Sequence, residues 1–255
     1  MRKFANFLKM EVNGVVVRSI RIGENSYDDY RHSYFDNLNR QVFNFNIIYK
    51  VDEICAQLKM DQNLKDGFHA IGFSQGGQIM RAYVQRCNSP KVTNLITFGA
   101  QHQGINTAPY CFNDTSGLCP IVSRAISSSV YVPWVRENIV QAQYFKDLKN
   151  LTPYLKYNKF LADINNDHDA KTVFDDQVVV PRESGHFGIL GKEGVVDIQN
   201  QTAFVEDWIG LRSLYNRNSL VFFEMPGGHV RYFKIRFQMQ IDYAWVRKNI
   251  IKYLK

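Results

Sequence analysis

Long apolar runs, internal repeats and low-complexity tracts are all missing from this chain. No stretch of the 255 residues approaches the roughly 18 consecutive apolar residues that a membrane-spanning helix needs. Residues 1–13 begin with basic side chains but have no apolar core of sufficient length, so we do not expect a signal peptide there. The chain is 45% hydrophobic and 14% aromatic, which is enough to build one sizeable core. We therefore expect a folded protein that is soluble or peripheral to a membrane.

Cysteines are few, and none is arranged as CxxC, which argues against a zinc site. The four are Cys55, Cys87, Cys111 and Cys119. An even number permits two disulfides in three alternative pairings, and the short loop between the last two suggests a local bond. Four buried thiols of a cytosolic enzyme fit the composition equally well. We expect no metal ion or other cofactor.

The charge balance gives little support to a nucleic-acid partner. The net charge is +7, and the basic residues are scattered along the chain. Three of them lie between aromatic residues in the segment 231–237, namely Arg231, Lys234 and Arg236. This cluster predicts either peripheral contact with an anionic lipid surface or simply a solvated surface strand.

Short apolar runs alternate with segments of helical periodicity, which favours an α/β fold. We predict strands at 14–22, 68–73 and 92–98, and helices at 42–58, 75–86 and 243–254. Further strand-like runs lie at 173–174, 178–180 and 219–223. The loop-rich part at about 105–165 is interpreted as a helical cap inserted into a single domain, 1–255.

Gly72-Phe73-Ser74-Gln75-Gly76 fits the pattern G-x-S-x-G, with a predicted strand before it and a predicted helix after it. This context is that of a nucleophile elbow in an α/β-hydrolase fold with a mostly parallel central sheet. Small residues must flank the serine because strand and helix nearly collide there. The backbone N–H of Gln75 begins the helix, where it can stabilise an oxyanion. Ser74 is therefore the candidate nucleophile.

The acid and the base are sought by chain order, which in this fold runs serine, acid, histidine. His229 follows the run 219–223 in a glycine loop, and it is preferred to His186, which has no convincing strand before it. Asp176 is preferred to Asp175 as the acid, although an Asp pair is also typical of a solvated turn.

Two long motifs then carry a family resemblance. GFSQGGQIMRAYVQRCNSP, followed by NLITFGAQHQGI, resembles the palmitoyl-protein thioesterase family almost residue by residue, and the similarity continues in shorter stretches through LVFF at 220–223. The resemblance implies hydrolysis of fatty-acyl thioesters from modified cysteines, in the lysosome. It places Ser74, Asp176 and His229 on the family's nucleophile, acid and base.

The same resemblance implies further features of the site and of the fold. The four cysteines match family cysteines, which implies the bonds Cys55–Cys87 and Cys111–Cys119. Gln101, Val178 and Val179 resemble positions that line the acyl groove. The expected substrates are S-palmitoylated proteins or other acyl thioesters.

The chain also departs from the family pattern in three places. Residues 1–12 resemble neither the family's secretion signal nor the strand and His-Gly loop that supply its second oxyanion donor. Only residues 164–175 separate Asp163 from Asp176, where the family is longer, and 230–239 resembles an insertion. These departures leave open a catalytically impaired or inactive acyl-binding homologue. A lipase or carboxylesterase of the same fold is a second alternative, because the triad alone does not choose between oxygen and sulfur esters.

Overall fold

The computed structural model describes residues 1–22, 25, 47–106, 129–147, 150–167, 186–191, 194–225, 230–233, 236–239 and 241–255. In chain order its first half contains α1 (Arg2–Glu11), α2 (Ile47–Met60), β1 (Phe68–Phe73), α3 (Gln75–Arg86), β2 (Val92–Phe98), α4 (Pro133–Asn138), α5 (Leu151–Tyr157) and α6 (Leu161–Ile164). Its second half contains β3 (Ile189–Gly191), β4 (Gly194–Val196), α7 (Thr202–Val205), α8 (Leu211–Asn216), β5 (Val230–Phe233), β6 (Arg236–Met239) and α9 (Tyr243–Asn249). Short 3₁₀ turns lie at Gln62–Leu64, Val140–Tyr144, Ile198–Asn200 and Ile251–Tyr253.

Strands β1 and β2 form a parallel pair, with Phe73 opposite Phe98 at their carboxyl ends. Helix α3 connects them and packs on both, which is the βαβ arrangement expected of an α/β protein. The predicted strands at 68–73 and 92–98 and the predicted helix at 75–86 are confirmed. The predicted closing helix is confirmed as α9 and the 3₁₀ turn after it.

The main core lies on one side of the parallel pair, between α2, α3 and the helices of the segment 129–164. Its fully buried side chains include Ile47, Val51, Tyr83, Tyr154 and Phe160. A disulfide between Cys55 and Cys87 joins α2 to the end of α3, with the two Cα atoms 6.3 Å apart. The first of the two implied disulfides is therefore confirmed, whereas Cys111 and Cys119 lie outside the described residues.

Helix α1 builds a second cluster on the other side of the strands. Its apolar face buries Phe4, Phe7 and Leu8, and the ring of Phe4 contacts that of Phe73 edge to face at 5.1 Å. Val246 and other residues of the final helix complete this cluster. The aromatic residue just before Ser74 is thus packed from both ends of the described chain.

Two predicted strands are wrong. Residues 14–22 follow α1 as an extended segment, but they pair with no strand among the described residues. Val15 and Val17 are half-buried while Val16 is 55% exposed, so the alternation typical of a strand is present without a ladder. The run 219–223 is likewise extended and unpaired within the described part of the chain.

The described residues of the proposed cap contain short helices and turns, and no strand. Residues 173–174 and 178–180 lie outside the described residues. In the segment 230–239, expected as an insertion, the strands β5 and β6 pair antiparallel. No helix in the described ranges is long and apolar enough to cross a membrane.

Candidate active site

Ser74 lies at the sharp turn between β1 and α3. Its backbone has φ 51° and ψ −124°, a conformation that residues other than glycine rarely adopt. The turn is held from both sides, because Ser74 N donates to the carbonyl of Phe98 at 2.8 Å and Gly77 N donates to the carbonyl of Ser74 at 2.9 Å. The strain is therefore imposed by the strand pair and the helix together, as a nucleophile elbow requires.

Two glycines make this turn sterically accessible. A Cβ added to Gly72 would lie 2.5 Å from the backbone of Gly76 and Gly77, and backbone atoms cannot yield. A Cβ on Gly77 would lie 2.5 Å from Cβ of Ala100. The helix thus approaches both strands more closely than any larger residue permits, which explains the small residues around the serine.

Gln75 is the first residue of α3. Its backbone N–H belongs to the first helical turn, where the aligned peptide dipoles favour negative charge. A developing oxyanion on a substrate bound at Ser74 would lie beside this helix end.

Gln101 reaches Ser74 from the loop that follows β2. Its side-chain Nε2 donates to Ser74 Oγ at 3.0 Å. The fully buried side chain of Gln78, on the helix that follows the serine, donates in turn to the backbone carbonyl of Gln101. The structure therefore places Ser74, Gln75 and Gln101 next to one another.

A buried polar cluster lies beneath this group. His102 is 2% exposed, its Nε2 lies 3.0 Å from Thr97 Oγ1, and its ring stacks on Phe187 at 4.5 Å. Arg81 lies 5.2 Å from the same phenyl ring and donates from Nη2 to Asn165 Oδ1 at 2.5 Å. The cluster joins the nucleophile helix to the loop after β2 and to the later segment at 186–191.

Burial dominates the electrostatics of this cluster. It lowers the pKa of His102 well below its usual value, and Arg81 and His186 lower it further. Burial also lowers the pKa of Arg81, to about 10, against the attraction of Asp167 and Tyr154. At neutral pH, His102 is therefore neutral and Arg81 remains a buried cation.

The remaining predicted site residues are Asp176, Val178, Val179 and His229, and all four lie outside the described residues. His186, the alternative base, has Nε2 3.0 Å from the carbonyl of Phe223. Among the described residues there is no group of three His, Cys, Asp or Glu side chains that could hold a metal ion.

Gln78 and Arg81 were missed by the sequence analysis. A signal was available, because Ser74, Gln78 and Arg81 follow one another at spacings of four and three residues and so share one helix face. Two large polar side chains on a face that must pack between strands indicate a buried hydrogen-bond network.

A serine in a strained strand–turn–helix, with a helix N-terminus at its side, defines the serine hydrolases that use a nucleophile elbow. The chain belongs to the palmitoyl protein thioesterase family, whose model matches residues 1–174 and 171–229. It is 35% identical over 241 residues to palmitoyl-protein thioesterase 1 of Caenorhabditis elegans, covering 87% of this chain and 77% of that protein.

Two other relatives extend the comparison. Palmitoyl-protein thioesterase 3 of Dictyostelium discoideum is 30% identical over 250 residues, covering 90% of this chain and 80% of the relative. Lysosomal thioesterase PPT2-B of Xenopus laevis is 27% identical over 199 residues, covering 71% of this chain and 68% of the relative.

Proposed function

We propose that this protein hydrolyses long-chain fatty-acyl thioesters, removing palmitate from S-acylated cysteines through an acyl-enzyme on Ser74. The observation that carries the proposal is the strained elbow of Ser74, at φ 51°, in a chain of the palmitoyl protein thioesterase family. The names of the relatives in Caenorhabditis elegans and Dictyostelium discoideum support the same substrate class.

The reaction proceeds in two halves. His229 takes the hydroxyl proton as Ser74 Oγ attacks the thioester carbonyl, Asp176 fixes the imidazole tautomer, and the Gln75 N–H stabilises the oxyanion. The C–S bond then breaks, and the thiol leaves with the proton that His229 carries. Water, deprotonated by His229, attacks the acyl-enzyme and releases the fatty acid and free Ser74.

The leaving group suits this machinery. A thiol has a pKa near 8.5, so its departure needs less assistance from an acid than that of an alkoxide or an amine. Catalysis of the thioester therefore depends most on the nucleophile and on oxyanion stabilisation, and both are centred on the elbow.

The proposal includes the complete α/β-hydrolase fold, as one domain with a cap at about 105–165. Val178 and Val179 would line the acyl groove together with Gln101. The parallel pair β1–β2 and the short helices of 129–164 support this arrangement.

Ser74→Ala is the direct test. We expect loss of palmitoyl-thioester hydrolysis with little change in thermal stability, because one oxygen is removed from a turn that the backbone already fixes. Ser219→Ala is the matched control, since that serine is exposed and its hydroxyl donates to the Arg217 carbonyl at 3.4 Å. Parental turnover in Ser74→Ala would contradict the assignment.

The two alternatives are separated by substrate and by labelling. A lipase or carboxylesterase would prefer a palmitoyl oxygen ester to the matching thioester. An inactive homologue would not react with a fluorophosphonate at Ser74. The relatives favour the thioesterase over both.

We also propose that the protein acts in the lysosome. The Cys55–Cys87 disulfide is typical of an oxidising secretory route, and the Xenopus laevis relative is named a lysosomal thioesterase. Asn150 and Asn200 begin N-x-Thr sequences and are both exposed, as glycosylation sites must be.

Non-reducing peptide mapping would test the second implied disulfide, Cys111–Cys119. Strands β5 and β6 contain Arg231 and Arg236 of the basic segment 231–237, and contact of that segment with anionic lipid stays a prediction.

A further inference from the structure

Gln101 is placed to do more than line a groove. Its Nε2 lies 3.0 Å from Ser74 Oγ, so the amide points at the reacting atom itself. We propose that the side-chain amide of Gln101 is an oxyanion donor, acting together with the backbone N–H of Gln75. This inference rests on the proposed function and deepens it.

A hydrogen bond from helix α3 holds the backbone of Gln101 in place. Gln78 donates its side-chain amide to the Gln101 carbonyl, and Gln78 has no exposed surface. The loop is pressed against α3 next to this bond, where Gly77 leaves no room for a Cβ beside Ala100. The backbone that carries this donor is thereby anchored to the same helix as the nucleophile.

The side-chain amide of Gln101 is less constrained than its backbone. Its Oε1 is buried and accepts no hydrogen bond from any of the residues that the structure describes. Within the described part of the chain, Nε2 has its hydrogen bond to Ser74 Oγ. Within these residues, no hydrogen bond to Oε1 therefore opposes a rotation of the amide about its terminal torsion.

The proposed acylation step uses a rotation of the Gln101 amide. Before attack, the amide donates to a lone pair of Ser74 Oγ. When Oγ bonds to the acyl carbon, the negative charge develops on the former carbonyl oxygen, which is attached to that same carbon. A small rotation then transfers the Gln101 N–H from Oγ to the oxyanion. No proton is transferred, because the amide remains a donor throughout.

The test compares Gln101→Met, which removes the donor at similar length, with Gln101→Glu, which replaces it by an acceptor. Gln103→Met is the matched control, because Gln103 lies two residues away and its Oε1 accepts from Lys146 Nζ at 3.4 Å. Hydrolysis of palmitoyl-CoA supplies kcat and KM. A palmitoyl trifluoromethyl ketone, which forms a tetrahedral adduct with a serine, and palmitate itself supply two binding constants.

We expect Gln101→Met to lower kcat by about 10²–10³-fold and to weaken the ketone by a similar factor. KM and palmitate affinity should stay within about twofold, because a donor to the transition state contributes little to ground-state binding. Gln101→Glu should be at least as impaired. Gln103→Met should match the parent.

Several results would overturn the inference. If Gln101→Met changes KM and palmitate affinity but leaves kcat and ketone binding intact, Gln101 only lines the groove. If Gln101→Glu keeps parental kcat, the group accepts from the serine hydroxyl and does not donate. If Gln101→Met does not fold, Gln101→Asn, which withdraws the amide by one methylene, takes its place with the same expectations.

Failure of the proposed function would look different. A parent that does not hydrolyse palmitoyl-CoA but is labelled by a fluorophosphonate is no thioesterase, yet its labelling rate still tests the donor. Phosphonylation also develops negative charge on an oxygen, so Gln101→Met should then be labelled at least about tenfold more slowly. An equal labelling rate would refute the role of Gln101.

Discussion

The elbow region, residues 68–104, and the late region, residues 186–225, are built on different principles. In the elbow region, a parallel strand pair and α3 share one large core, and the Cys55–Cys87 bond fixes the end of that helix. In the late region, β3 and β4 pair over three residues each, and among the side chains that the structure describes there the local core has three buried members, namely Phe187, Ile198 and Phe204.

The difference concerns which half of the site is preformed. Local opening is cheapest where few apolar contacts are buried, so the late region should open long before the elbow region does. The nucleophile and its amide donors are thus rigid, while Phe187, which contacts them through His102, belongs to the weaker part. Breaking each region separately should therefore give unequal effects.

The largest effect is expected from Gly72→Ala in the elbow region. Its Cβ would lie 2.5 Å from backbone atoms of Gly76 and Gly77, so strand and helix must separate, at a cost of about 3 kcal/mol or more. Urea unfolding at equilibrium measures this loss. Gly210→Ala in the late region is the comparison: no atom lies within 4 Å of its added Cβ, and its φ of +78° should cost about 1–2 kcal/mol.

A smaller and localised effect is expected from Gln201→Met in the late region. The buried Gln201 amide donates to the carbonyls of Phe187 at 2.7 Å and Val196 at 3.2 Å, and methionine would remove both hydrogen bonds. We expect a loss of about 1–3 kcal/mol. Amide hydrogen exchange should accelerate in 186–205 and stay unchanged in 68–98. Equal acceleration in both regions would show that they unfold as one unit.

The smallest effect is expected on the pH dependence of stability. It concerns His102, whose ring stacks on Phe187 and so joins the two regions. The folded protein keeps His102 neutral because its pKa lies well below the usual value, whereas the unfolded chain protonates near pH 6.5. The unfolded state therefore binds more protons below that pH, and stability falls as pH falls, by at most about 1.4 kcal/mol per pH unit.

His102→Gln isolates this term, because glutamine does not titrate. The difference in melting temperature between parent and variant should shift in favour of the variant as the pH is lowered from 7.5 to 5. A difference that is independent of pH would show that His102 does not titrate on unfolding.

The sequence predicts the elbow region well because its signals are local. The alternation in 68–73, the small residues around Ser74 and the periodicity of 75–86 each depend on near neighbours, and all three agree. The contact between Gln101 and Ser74 joins residues far apart in the chain, and the sequence did not predict it, because the family resemblance placed Gln101 only in the acyl groove.

The two wrong strands fail for a common reason. The run 219–223 does alternate: Phe222 packs with the late core, and Phe223 packs on Trp245. The segment 14–22 also alternates in burial, but its contact with the rest of the chain includes an ion pair between Arg18 and Asp61 at 2.8 Å and no strand pairing among the described residues. Apolar alternation predicts which side chains are buried, but a strand also needs a neighbouring backbone at the right distance, and the pattern carries no information about that.

The position of the disulfide has a consequence for cleavage of the chain. Cys55 and Cys87 are 32 residues apart, and Ser74 lies between them. A protease that cuts after Lys65, which is exposed, would therefore leave two fragments that remain covalently joined around the nucleophile. Such a nicked molecule should migrate as one band on a non-reducing gel and as two after reduction, and it should keep its serine reactive until the bond is reduced.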